Sequence, residues 1–316
     1  MTKQTRFDWG IRLGAITVLA TSLFWGGCGK SDSGAGGGGS SPAGGGGGGK
    51  KTSIANVGSD TMVNLAIAWA DAYSKVDPTV SVEVNGGGSG QGVAALINNA
   101  CQIANCSRAF EEKEIADFKA KHPGKEPKEF LVGYDALSVF VHKDNPLEQI
   151  SIEELQHLYM KDGKFSKWTE LGVTNIPGAK GDEVILVSRQ NNSGTYHYFR
   201  EAIVGKKNEM RLGTVDMNGS KDVVELIAKT PNAIGYSGMG YATPAVKQLK
   251  VSKKKGEKGV PPSIATTLDK TYPIARPMFM YTSGEPTPEV KRYIDWIVSD
   301  TGQKIVVDTG YVPLPK

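Results

Sequence analysis

From position 53 the chain alternates between short apolar runs of strand character and longer segments whose apolar residues recur at helical spacing. Residues 53–57 read as a strand, and 62–76 as an amphipathic helix with Leu65, Ala66, Trp69, Ala72 and Tyr73 on one side, ended by Asp77-Pro78. Residues 80–84 alternate as a second strand, after which a glycine-rich turn opens a helix through Val93, Leu96 and Ile97. A strand over 101–106 and a helix over 111–121 make a third unit. Three strand–turn–helix units in succession predict an α/β fold with a parallel or mixed sheet. In such sheets ligands bind beyond the carboxyl ends of the strands, where these turns lie.

Further along, 130–142 is a long apolar strand candidate interrupted at Tyr134-Asp135. Ser151-Ile152-Glu153-Glu154 reads as a capping box opening a helix through Leu155, Leu158 and Tyr159. Residues 184–187 read as a buried strand, 196–204 and 221–229 as helices, and 233–237 as a strand ending in a glycine-rich turn. A polar loop is expected over 250–270. A strand over 273–281 and helices over 287–299 and 302–309 follow it.

The candidate chemistry sits in the turns. Ser188-Arg189-Gln190-Asn191-Asn192-Ser193-Gly194-Thr195 joins a strand to a helix that Ser193 or Asn192 can cap. A helix start presents unsatisfied N–H groups and partial positive charge, which suit an anion. Gly194 permits close backbone approach, Ser193 and Thr195 add hydroxyl donors, and Arg189 supplies a permanent cation with a planar fork of donors. The turns Ser59-Asp60-Thr61, Ser89-Gly90 and Ser107-Arg108 are equally rich in donors. Each alone is explained by helix capping; four together favour an anion pocket.

Composition narrows the setting. The 316 residues carry a formal net charge of +4, mild enough to suit an anionic ligand without predicting one, and no basic stripe points to nucleic acid. Residues 1–27 have the form of an export signal. Lys3, Arg6 and Arg12 precede an apolar run too short to span a bilayer comfortably. The run ends at Gly26-Gly27-Cys28-Gly29, which resembles the lipobox of bacterial lipoproteins, with Cys28 the lipidated residue, although Trp25 departs from the usual leucine. Residues 28–51 then form a Gly/Ser-rich tether that cannot bury a core; roughly twenty such residues reach about 25 Å. Cys101 and Cys106, placed along one strand, would lie about 16 Å apart, too far for a disulfide, and are expected as unpaired thiols.

Enzyme signatures are missing from the sequence. Gln91 stands where a nucleophile elbow around Ser89 requires glycine, and no Walker-type phosphate loop occurs. His122, His142 and His157 fall on expected surface helices or a strand end, and no histidine or cysteine cluster suggests a metal. No cofactor is expected.

Taken in order, five of these motifs resemble the phosphate-binding proteins of bacterial phosphate ABC importers, over about 54–313. They are Gly58-Ser59-Asp60-Thr61-Met62, Gly88-Ser89-Gly90-Gln91-Gly92-Val93, Ile103-Ala104-Asn105-Cys106-Ser107-Arg108, Arg189-Gln190-Asn191-Asn192-Ser193-Gly194-Thr195 and Ala233-Ile234-Gly235-Tyr236. The resemblance implies a two-lobed, class II periplasmic-binding-protein fold with a ligand cleft between lobes joined by two crossing strands, expected near 133–138 and 235–241. Lobe I would comprise 52–135 and 240–316, and lobe II 136–239. It further implies an exported, lipid-anchored, monomeric receptor that passes phosphate to membrane permease subunits and catalyses nothing. Thr61, the Met62 N–H, Ser89 and Arg108 would meet phosphate from one lobe, and Arg189, Ser193, Gly194 and Thr195 from the other. Some family members carry an aspartate where this chain has Arg108, so Asp60 and then Asp135 are the candidates to accept the proton of hydrogen phosphate. The alternatives are a phosphatase-like protein using the same pocket, a receptor for sulfate or molybdate, or an adhesin or signalling receptor with no tight ligand.

Overall fold

The structure, a computed structural model, describes residues 51–315. The expected signal, Cys28 and the tether up to residue 50 lie outside the described residues. The elements run β1 (Thr52–Gly58), α1 (Val63–Val76), β2 (Val80–Asn85), α2 (Ser89–Ile97), β3 (Ile103–Cys106), α3 (Glu112–Lys121) and β4 (Pro127–His142). The chain continues through β5 (Gln149–Ser151), α4 (Ile152–Tyr159), β6 (Ile185–Arg189), α5 (Gly194–Phe199), β7 (Val215–Met217), α6 (Ser220–Lys229) and β8 (Ala233–Gly238). It closes with β9 (Val246–Gln248), β10 (Lys250–Ser252), α7 (Ile264–Leu268), β11 (Ala275–Ser283), α8 (Pro288–Val298) and α9 (Asp300–Asp308). A single 3-10 turn, Asp60–Met62, leads into α1, and α5 runs on as a π-helical turn, Arg200–Val204.

The sheet explains the architecture. β1 pairs in parallel with β2 and β3, and β3 pairs antiparallel with β11. β11 lies antiparallel along the first part of β4, from Ser283 opposite Pro127 to Ala275 opposite Ala136. From Leu137 onward β4 changes partner and pairs with β8 and β9, while β6 joins β8 and β7 in parallel. One strand is thus shared by two sheets.

Each sheet has its own apolar centre. Ile54, Leu65, Trp69, Val132, Met278 and Tyr293 cluster around the first, and Leu137, Leu155, Tyr159, Trp168, Phe199 and Tyr236 around the second. Burying one such side chain contributes about 1.5–3 kcal/mol. Trp69 of α1 also donates its indole N–H to the Gly302 carbonyl at 2.9 Å, tying α1 to α9. This is the two-lobed, class II periplasmic-binding-protein arrangement, with β4 crossing between lobes.

The second crossing differs from expectation. β9 and β10 pair with β4 and β5, and Leu249, Val251, Tyr272 and Ile274 belong to the second centre. Leu137 N–H donates to the Ile274 carbonyl, and Tyr272 hydroxyl donates to the Leu137 carbonyl. The chain changes sheet at Ala275, beside the first crossing, rather than near 235–241. Residues 246–274 therefore pack with the lobe to which 136–239 was assigned. The reason is that a lysine- and glycine-rich stretch hides a few apolar anchors, such as Leu249, Val251 and Val260, that together specify a strand and a packed segment.

Candidate anion-binding site

Three turns from the first lobe converge on their hydroxyls. Ser59 Oγ donates to Ser107 Oγ at 2.9 Å, and the Ser107 N–H donates to Ser89 Oγ at 3.1 Å; all three serines are buried. They meet because β1 and β3 are neighbours and α2 starts immediately behind them. Thr61 is buried beside them, in the 3-10 turn.

The second lobe brings the turn after β6. Ser193 caps α5, its hydroxyl accepting from the Thr195 and Tyr196 N–H groups. Thr195 Oγ1 and Thr61 Oγ1 share a hydrogen bond of 2.6 Å across the lobes. Gly90 N–H donates to the Asn192 carbonyl at 3.1 Å, and Asn192 Nδ2 donates to the Gly87 carbonyl at 2.9 Å. Two glycines make this approach possible. A Cβ on Gly194 would lie 2.2 Å from Ser89 Oγ, and one on Gly88 2.7 Å from the Asn192 carbonyl oxygen. Gly88 also has φ +107°, a conformation that favours glycine.

Two guanidiniums are buried here. Arg189 donates from Nη1 to Ser220 Oγ and from Nη2 to the Asn218 carbonyl, both at 2.8 Å, and Nη2 stands 3.4 Å from Asp60 Oδ2. Its Nε has no partner among the described residues. Burial pushes its pKa down and Asp60 opposes that shift, and arginine nevertheless stays charged at neutral pH. Arg276, on β11, is paired with Asp135 of β4; both side chains are fully buried. Asp60 accepts from Ser220 N–H at Oδ2, is about a quarter exposed, and uses Oδ1 with no described group. The Asp60 carbonyl accepts from Tyr241 and the Thr61 carbonyl from Tyr311.

The expected residues are therefore brought together with two differences. Thr61, Ser89, Arg189, Ser193, Gly194 and Thr195 converge where the lobes meet. The Met62 N–H donates to the Ser59 carbonyl within the turn, and its side chain is core. The Arg108 guanidinium turns away, held at 2.7 Å by each oxygen of Glu114. It lines instead a groove of about 960 Å³ beside the cluster, together with Phe110, His197, Tyr198, Arg276 and Phe279.

Sequence reading missed Ser220 and Arg276 as members of this cluster, and placed Ser107 in a donor-rich turn without naming it a ligand. Ser220 is an ordinary turn serine with no distinguishing neighbours. Arg276 did leave a signal. It is a charge inside an apolar strand, as is Asp135 in β4, and two such interruptions mark a pair buried together.

Among the described residues the cluster has hydroxyls, two guanidiniums and the carboxylates of Asp60 and Asp135, which are paired with those guanidiniums. The fourth histidine, His197, directs Nε2 to the Asn191 carbonyl at 2.7 Å and Nδ1 to Glu111 at 3.0 Å. No described histidine is hydrogen-bonded to Ser59, Ser89, Ser107 or Ser193. His122, expected on a surface, is buried, stacked on Phe118 with Nε2 2.9 Å from the Ile97 carbonyl. Cys101 and Cys106 are free and buried, as expected; burial pushes the Cys101 thiol up to about 12 and raises Cys106 also.

Known proteins resemble this chain over most of its length. Residues 42–301 match a PBP superfamily domain. The phosphate-binding protein PstS of Pseudomonas aeruginosa is 33% identical over 273 residues, covering 83% of this chain and 83% of that protein. PstS of Bacillus subtilis is 32% identical over 265 residues, covering 83% of this chain and 81% of that one. Among solved structures, a Clostridium perfringens phosphate ABC transporter substrate-binding protein with bound phosphate superposes with a TM-score of 0.73. It shares 27% identity, over 84% of this chain and 100% of that one.

Proposed function

Because this chain belongs to the PBP superfamily and, within it, to the family of the PstS phosphate-binding proteins, we propose that it is a receptor for inorganic phosphate and not an enzyme. It works outside the cytoplasm, binds phosphate where its two lobes meet, and delivers it to the permease subunits of an ABC importer. The observation that carries this reading is the meeting of Thr61 and Ser89 of one lobe with the Arg189 and Ser193–Thr195 turn of the other. Hydroxyls, backbone N–H groups and a buried guanidinium from two sides can enclose a tetrahedral oxyanion, each charge-assisted bond being about twice as strong as a neutral one.

The proton of hydrogen phosphate is read by Asp60 in this account. Asp135 has both oxygens occupied, Oδ2 by Arg276 and Oδ1 by the Met239 N–H, whereas Asp60 Oδ1 accepts from no described group. Sulfate brings no proton, so it would set a lone acceptor against an anion, which costs several kcal/mol in a dry site. Titration calorimetry should give phosphate and arsenate at least a hundredfold preference over sulfate, about 3 kcal/mol. Asp60→Asn should shrink that ratio. Equal binding of sulfate and phosphate by the natural chain would discard the phosphate assignment, and an unchanged ratio in the variant would discard the role of Asp60.

The anchor is part of the same proposal. Cys28 after a short apolar run, followed by the glycine-rich tether, suits a lipidated protein ranging over a membrane surface. The protein should fractionate with membranes, and Cys28→Ala should release it or block its processing. Wild-type protein that is processed elsewhere and freely soluble would rule the anchor out.

A further inference from the structure

We propose that Arg276 is a second guanidinium ligand of the anion, with Asp135 as its counter-charge. This inference rests on the phosphate reading above but concerns a residue outside the turns that carry it. Arg276 is the second residue of β11, opposite Asp135 in β4, at the place where both strands pass between lobes. Its side chain is wholly buried.

The donors of Arg276 divide in a telling way. Nε and Nη2 donate to Asp135 Oδ2 at 3.1 and 2.8 Å, and Nη1 lies 3.4 Å from the Ser107 carbonyl. The second hydrogen of Nη2 is donated to Thr61 Oγ1 at 3.3 Å and Thr195 Oγ1 at 3.0 Å. Those are the two hydroxyls that join the lobes, and they stand 2.6 Å from each other. An anion oxygen that enters between the two threonines and accepts from both would take this N–H over from them. Arg189 approaches from β6 and is held by Ser220, Asn218 and Asp60, so the two guanidiniums act from different elements and do not compete for partners.

Stability alone is a weak reason for such a pair. A buried ion pair seldom stabilises a fold more than apolar side chains of similar volume, although removing one partner is costly. Asp135 compensates Arg276 without occupying the N–H that faces the threonines. The pair thus keeps a cation dry and oriented at the floor of the cleft. Since Nη2 touches one threonine from each lobe, its contribution appears when the lobes close, and it should act mainly on the rate of phosphate release.

The test separates a ligand from a structural pair. Arg276→Gln alone would leave Asp135 buried without its cation, so the informative variant is Asp135→Asn with Arg276→Gln, which removes both charges together. Calorimetric phosphate titration and melting of the ligand-free protein are measured on wild type, the double variant and Arg276→Lys. The double variant is expected to melt near wild type yet bind phosphate at least tenfold more weakly. Arg276→Lys keeps the charge but loses the planar fork, and should also bind at least tenfold more weakly, with faster release of phosphate in stopped flow. A folded double variant that binds within threefold of wild type overturns the inference. If that variant does not fold, Arg276→Lys with wild-type affinity overturns it instead. A wild type that binds no phosphate in the same titration overturns the functional reading along with this one.

Discussion

A buried guanidinium costs several kcal/mol to desolvate unless its donors are met. Arg189 meets Ser220, the Asn218 carbonyl and Asp60, and still has Nε without a partner among the described residues. Replacing it by alanine should cost phosphate binding roughly 2–5 kcal/mol, by analogy with truncated buried charge pairs. That is more than tenfold in affinity, measurable by calorimetry; an Arg189→Ala variant within threefold of wild type would show the site to be elsewhere. At this scale legibility depended on company. Arg189, Ser193, Gly194 and Thr195 stand in one turn and could be read as a unit. Ser220 joins the cluster from a separate segment with nothing beside it in the chain to announce it, and Arg276 from another, marked only as a charge inside an apolar strand. Arg108 is the opposite case. It sits in a family motif, but Glu114, six residues on, captures its guanidinium.

At the scale of elements, the strand ends and helix starts aim the site. Helix α5 begins with Gly194 facing the Ser89 and Ser107 hydroxyls, where a Cβ would come to 2.2 and 2.7 Å. Gly194→Ala should therefore prevent the two turns from meshing while leaving each lobe folded. The expected result is a phosphate affinity at least tenfold weaker, with a melting midpoint of the ligand-free protein unchanged or slightly raised, since alanine is a better helix former. Unchanged affinity would mean that phosphate binding does not need this contact. The periodic elements were well anticipated, because α1, α3, α6 and α8 bury one face and each pattern is complete within a few turns. The stretch 250–270 was not, because its strand and helix are short and take their order from long-range packing against the second lobe.

For the whole molecule the decisive feature is that β4 and β11 cross together between two separately cored lobes, and on the phosphate reading closure and binding are expected as one event. A ligand that binds only the folded, closed form stabilises it by mass action, about 4.1 kcal/mol at a thousandfold excess over Kd. Phosphate should raise the melting midpoint and reduce the radius of gyration in small-angle scattering, and sulfate at equal concentration should do neither. Compaction without phosphate dependence would separate closure from binding.

The sequence by itself determined the alternating elements, the donor-rich turns and the unpaired thiols, since these depend on periodicity and local chemistry within a few residues; the family came from the resemblance of motifs taken in order along the whole domain. Tertiary structure alone decided which turns meet, where the second crossing lies, and that Arg276 rather than Arg108 reaches the threonines. Thr61 and Thr195 are 134 residues apart, and Arg276 is 215 from Thr61. Contacts over such separations follow from strand order and from which side chains the two cores leave no room for, and no local pattern records either.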